Sequence, residues 1–193
     1  MLIFCAGIET GLYRDTGSLD RLLEQIADGD KHALADLYEA VRVPVYSYAL
    51  SILKHAPDAE DVLHDCFLSI HTSAAGYRSV GKPMAWILTI TRNLCLMKLR
   101  EKNRDRNSRT DIPDEDWDTH LGLSDETDIC DRLILEECMG QLSDMERQIV
   151  VLHAVSGLKH REIAGMLSIP LATVLSRYSR AVKKLKVILE REG

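Results

Sequence analysis

From Ser18 onward, apolar residues recur at three- and four-residue intervals, a period that a helix can bury on one face and a strand cannot. Leu34, Leu37, Val41, Val45, Tyr48 and Ile52 set the pattern, and Val62, Leu63, Cys66, Phe67 and Ile70 repeat it. Five prolines in 193 residues do little to break it. Aromatic residues make up 5% of the chain against 46% hydrophobic, so the core must be built mainly from Leu, Ile, Val and Ala, which favours helices. The expected fold is all-α.

Gly7, Gly11 and Gly17 mark residues 1–17 as a flexible extension. Helices are then expected over 19–27, ending near Gly29, and over 32–53, with Pro44 inside the second and able to kink it. Pro57 opens a third helix, with Asp58, Glu60 and Asp61 in the first turn, where negative charge suits the helix dipole. A loop holding Gly76 and Gly81 leads to Pro83, at a helix start that tolerates proline, and a fourth helix over 84–107.

Charge then changes abruptly. Lys98, Arg100, Lys102, Arg104, Arg106 and Arg109 fall close together, whereas residues 110–128 carry eight acidic residues and no Lys or Arg. That acidic stretch lacks a period and contains Pro113 and Gly122, the composition of a linker. It divides the chain into helical domains over 18–109 and 129–193, the second beginning with a helix over 129–139. Ser143 and Glu146 form a capping box ahead of the next apolar run. A short helix over 159–167, a turn at Ser168, Ile169 and Pro170, and a longer basic helix over 171–189 complete a helix-turn-helix outline.

On that last helix Thr173, Arg177 and Arg180 share a face with Ser176, and Lys183 follows. No acidic residue lies between Leu171 and Leu189. Arginine can bond guanine bidentately, and Ser or Thr can reach phosphates or base edges, so this face suits a major groove. A solvated bundle helix would carry similar charges; the short helix and turn before it favour DNA. The net charge of −6 argues against nucleic acid only if spread evenly, and it is not.

The stretch LSDMERQIVVLHAVSGLKHREIAGMLSIPLATVLSRYSRAVKKL, from Leu142 to Leu185, resembles region 4 of the extracytoplasmic-function (ECF) sigma factors. DAEDVLHDCFLSIH, from Asp58 to His71, resembles their region 2.2, and AWILTITRNLCLMKLR, from Ala85 to Arg100, resembles the helix that follows it. The resemblance implies a sigma factor that binds core RNA polymerase and directs promoter recognition, DNA melting and initiation. It implies contacts of Thr173, Ser176, Arg177, Arg180 and Lys183 with the −35 element. It implies that Asp58, Asp61, His64, Asp65 and Leu68 dock on the polymerase. It also implies that Tyr77, Arg78, Ser79, Arg92, Asn93, Lys98 and Arg100 serve the −10 element, where flipped bases cost a few kcal/mol each. Trp86 is expected in the core.

Several positions depart from the family pattern. Ser168 stands where glycine is usual, Ala172 where glycine is frequent and Leu175 where Lys or Arg is usual. His64, His71 and Met97 replace the common Gln, Trp and Asp. The promoter sequence is therefore not transferable.

Two alternatives compete with the sigma-factor resemblance. Asp61, His64 and Asp65 on one helix could suit a metal-dependent helical-bundle enzyme, but His120, His153 and His160 supply no matching second cluster. A helix-turn-helix regulator acting without polymerase is the other alternative. No cofactor and no enzymatic activity are expected. Five scattered cysteines without a C-x-x-C pair suit buried thiols in a reducing cytoplasm. Residues 1–8 are too short and uncharged for a signal peptide, and no run approaches the roughly 18 apolar residues of a membrane helix. Promoter DNA, core RNA polymerase and an anti-sigma factor are the partners implied.

Overall fold

The computed structural model describes residues 16–78, 81–108 and 139–192. Described residues form helices and turns, with no β-strand, in agreement with the all-α expectation. Four helices make the N-terminal unit: α1 (Thr16–Ala27), α2 (Lys31–Leu53), α3 (Ala56–Ser73) and α4 (Pro83–Ser108), with a 3₁₀ turn at Ala74–Gly76. Helices α5 (Asp144–Val150), α6 (His160–Leu167) and α7 (Leu171–Glu192) make the C-terminal unit. Helix α5 continues into a π-helical turn at Val151–Val155.

One boundary is corrected. Thr16 and Gly17, assigned to the flexible extension, lie in the first turn of α1. A glycine costs little there, because the first N–H groups of a helix have no intrahelical partner to lose. The rest of the extension, the acidic segment 110–128 and all but the last residue of the helix expected over 129–139 lie outside the described residues.

Caps explain the other boundaries. Asp30 accepts from the His32 N–H at 2.8 Å to start α2, after Gly29 has turned the chain at φ +91°. Helix α2 runs through Pro44, which is buried, and ends at Lys54 in the left-handed conformation. The Ser143–Glu146 capping box forms as expected: the Ser143 hydroxyl accepts from the Glu146 N–H, and the Glu146 carboxylate accepts from the Ser143 N–H.

Leu23, Leu37, Val41, Tyr48, Ile70, Ile87 and Leu88 are fully buried in the N-terminal core. Each large side chain of this kind contributes roughly 1.5–3 kcal/mol by leaving water. The whole expected stripe of α3, from Val62 to Ile70, faces this core. Cys66 and Cys95 are free, buried thiols, with Cys66 Sγ 3.4 Å from the Thr91 hydroxyl. Burial pushes the Cys66 thiol up to about 11, which keeps it protonated. In the C-terminal unit Ile149, Leu152, Ile163, Val174 and Ala181 are buried, and they join the N-terminal residues in one hydrophobic cluster. The two units touch, because α2 packs against α5 and its π-helical turn, and α4 meets α6.

Candidate functional site

The helix-turn-helix is set by α6, its turn and α7. Ser168 ends α6 in the left-handed region at φ +56°, with its N–H on the Gly165 carbonyl at 3.3 Å. The Ile169 N–H reaches the Ala164 carbonyl at 3.1 Å, completing the backbone bonds of a left-handed helix end. Pro170 then starts α7: its carbonyl accepts from the Thr173 and Val174 N–H groups.

Helix α7 buries Val174 and Ala181 and turns its polar face outward. Ser176, Arg180 and Lys183 are exposed, while Thr173 and Arg177 are half-buried. The Ser176 hydroxyl donates to the Thr173 carbonyl at 3.0 Å and Arg180 Nε donates to the Ser176 carbonyl at 3.3 Å. These bonds hold the candidates along one ridge. Lys184 is turned aside to Glu146, at 2.7 Å, and so ties α7 to the start of α5. Burial alone would raise the Glu146 carboxyl, but Lys184 and Ser143 bring it down to about 2.

Three rings join the C-terminal elements. His153, on the π-helical turn, lies 4.1 Å from His160 of α6, and Tyr178 of α7 meets both edge-on at 4.8 and 4.9 Å. His153 donates from Nδ1 to the Leu158 carbonyl at 2.8 Å. Burial, and then the neighbouring His153, lowers the pKa of His160. Sequence spacing alone did not reveal this pair, because the widened turn and the helix packing create it. Among the described residues no group of three or more His, Cys, Asp or Glu could hold a metal ion.

The expected polymerase-binding residues separate into two sets. Asp61, His64, Asp65 and Leu68 are exposed on α3, and Leu68 is 66% exposed. Asp58 is 8% exposed, so its placement on the open acidic face is corrected. The cause is α4, which runs alongside α3 and lays Lys98 and Lys102 over its start. Lys102 Nζ sits 2.5 Å and Lys98 Nζ 3.6 Å from the Asp58 carboxylate, and Lys98 also bonds Asp61 at 2.5 Å. Burial opposes charge on Lys98, but Asp61 and Asp58 more than offset it and raise its pKa. His64 donates from Nδ1 to the Glu60 carbonyl at 2.9 Å, which leaves Nε2 pointing away from that bond.

Among the expected −10 residues, Arg78, Asn93 and Arg100 are exposed. Arg92 is half-buried beside the Tyr48 hydroxyl, and Lys98 is engaged with the two aspartates. Tyr77 is half-buried against Trp86. Trp86 itself packs against the core as expected. Ser79 lies outside the described residues. The geometry thus brings Arg78 and the α4 residues onto the N-terminal unit and the five −35 candidates onto α7, with Lys98 tied to α3.

Sigma-70 region 2 matches residues 37–105 and Sigma-70, region 4 matches residues 132–185. An ECF RNA polymerase sigma factor SigK of Mycobacterium sp. (strain KMS) is 33% identical over 179 residues, covering 89% of this chain and 90% of its own. The SigK of Mycobacterium tuberculosis (strain ATCC 25177 / H37Ra) is 26% identical over 94% of this chain and 98% of its own. Two solved structures share the fold. CnrH in complex with the cytosolic domain of CnrY has a TM-score of 0.63 and 21% identity, over 91% of this chain and 99% of that one. The sigma factor RpoE in complex with the anti-sigma factor NepR from Bartonella quintana has a TM-score of 0.58 and 20% identity, over 80% and 97%. Two sigma regions in order, and a relative of this identity along nearly the whole length, place the chain in the ECF sigma factor family, whose members direct promoter recognition by RNA polymerase.

Proposed function

We propose that the chain docks on core RNA polymerase through the exposed α3 face of Asp61, His64, Asp65 and Leu68. The C-terminal unit then sits on the polymerase flap, and the acidic segment follows the RNA exit path. Thr173, Ser176, Arg177, Arg180 and Lys183 read the −35 element. Arg78, Arg92, Asn93 and Arg100 meet the −10 element and favour its opening; Tyr77 and Lys98 act from behind them. The observation that carries the reading is the outward ridge of α7, basic and without an acidic residue between Leu171 and Leu189, held up by a completed helix-turn-helix.

The chain itself makes no bond in this scheme: the polymerase performs the nucleotidyl transfer, so the chain is not an enzyme. Its place of work is the cytoplasm, where the polymerase is, and no described helix is long and apolar enough to cross a membrane. RpoE of Bartonella quintana is solved with an anti-sigma factor. A partner of that kind, covering the polymerase- and DNA-facing sides together, is proposed here as well.

Run-off transcription with core polymerase on a promoter library tests the reading. Specific initiation that depends on this chain is expected. Tight binding of the isolated chain to a promoter duplex, without any association with core polymerase, would instead establish the regulator that acts alone.

A further inference from the structure

Tyr77 is placed as a brace. The aromatic ring leaves the 3₁₀ turn and packs on Trp86 with centroids 4.8 Å apart, so the start of the loop touches the first turn of α4, where the loop ends. The Tyr77 N–H bonds the Ala74 carbonyl at 2.9 Å, and Ala74 is buried beneath it. At the far side Gly81 takes φ +68°, and the Trp86 N–H reaches the Lys82 carbonyl at 3.2 Å. The Tyr77 hydroxyl donates to Asp20 Oδ1 of α1 at 2.5 Å, across 57 residues of sequence. Burial and Asp20 together push the Tyr77 pKa up, so the hydroxyl stays a donor at any physiological pH.

This arrangement spends the chemistry of Tyr77 on holding the chain. A tyrosine meant as a stacking platform would offer a free face, whereas this ring is half-buried against another ring and its hydroxyl is committed. A loop that receives unstacked bases gains from being ordered beforehand, since ordering it on contact adds roughly 1–2 kcal/mol per residue to the cost of capture.

Resting on the function proposed above, we propose that Asp20 is a positioning residue for promoter opening. Acting through Tyr77 and Trp86, it holds the neck of the loop so that Arg78 and Lys82 leave it in fixed register. Nothing in the motif pattern marks Asp20, which lies on α1, outside the matched region 2.

The test uses holoenzyme made from the full chain and core polymerase, on a promoter recovered by run-off selection and carrying 2-aminopurine in its −10 element. Opening is read as the rise in fluorescence. Asp20→Ala and Tyr77→Phe each remove the hydroxyl–carboxylate bond and are expected to slow opening about tenfold, the scale of one hydrogen bond to a charged group. Asp20→Asn keeps an acceptor oxygen and should recover most of the rate. Core binding, −35 duplex binding and the thermal midpoint should stay close to wild type. Opening by Asp20→Ala at the wild-type rate overturns the brace and leaves the family function intact. So does a loss of opening matched by an equal loss of core binding or of folded protein in both variants. A wild-type chain that opens no promoter overturns the brace and the proposed function together.

Discussion

Lys54 Nζ lies 2.7 Å from Asp144 Oδ1, which joins the left-handed end of α2 to the first residue of α5 and so one helical unit to the other. Lys54, first, and Arg147 also hold the Asp144 carboxyl below its ordinary range. Both side chains are partly exposed, at 42% and 64%, so the pair contributes only about 0.2–1 kcal/mol and weakens with salt.

Lys54→Gly separates two effects at this position. It relieves a left-handed non-glycine residue, worth about 1 kcal/mol, and it deletes the ion pair. The expected outcome is a slightly raised unfolding midpoint with a larger mean distance between the units. Fluorescence energy transfer between dyes on α3 and α7, followed across salt, checks the second half. No change in distance at low salt would show that apolar packing of α2 alone holds the units together.

Ser168→Gly should stabilise the C-terminal unit. Ser168 sits at φ +56°, where a Cβ crowds the following carbonyl, and glycine does not. A gain of about 0.5–1 kcal/mol in urea denaturation is expected, with DNA contacts on α7 unaltered. A loss of stability there would mean that the serine side chain contributes more than its backbone costs.

Acid should loosen the same unit in two stages. The neutral form of His160 is favoured in the fold because its pKa is lowered, so its contribution is complete above the ordinary histidine pKa of about 6.5 and declines as pH falls below it. Glu146 is the depressed-carboxyl case: its contribution is present above the ordinary range near pH 4 and disappears as pH falls towards about 2. Thermal unfolding across pH should show both declines. His160→Phe should flatten the upper one and leave the lower, whereas Glu146→Gln should shrink the lower to the share of Asp144, whose carboxyl is also held low, and leave the upper.

Charge reversal of Arg177 and Arg180 together should abolish −35-dependent transcription and leave binding to core polymerase within about twofold. Single Lys183→Ala should weaken promoter binding evenly across sequences and lower the salt slope by about 1, as one phosphate contact does. Filter binding of holoenzyme at several salt concentrations reads both, and equal loss of core binding in the double variant would move those arginines off the DNA face.

Asp58→Ala leaves Lys98 and Lys102 facing each other over the start of α3 without their shared carboxylate. A loss of roughly 1–3 kcal/mol from the N-terminal unit is expected in urea denaturation. If Asp58 instead met the polymerase directly, core binding would fall at full stability.

Local chemistry determined a great deal here. The period of the apolar residues gave the helices within a few residues, and Asp30, Ser143 and Glu146 placed their starts, because caps and amphipathic faces depend on neighbours three or four positions away. The helix-turn-helix and the α7 ridge were legible for the same reason. Ser168 was visible as an oddity, and the structure adds its cause in the left-handed backbone.

What the tertiary structure alone decided involves partners far apart in sequence. The helix period puts Asp58 on an open acidic face, but α4 covers it with two lysines from 40 and 44 residues away. Lys98, implied for the −10 element, is tied to Asp58 and Asp61 of α3. Tyr77, implied for the bases, turns its hydroxyl to Asp20, and His153 meets His160 where the π-helical turn packs against α6. A side chain's face follows from its own helix, but its electrostatic partner depends on which helix packs against it, and that is settled only when the whole core closes.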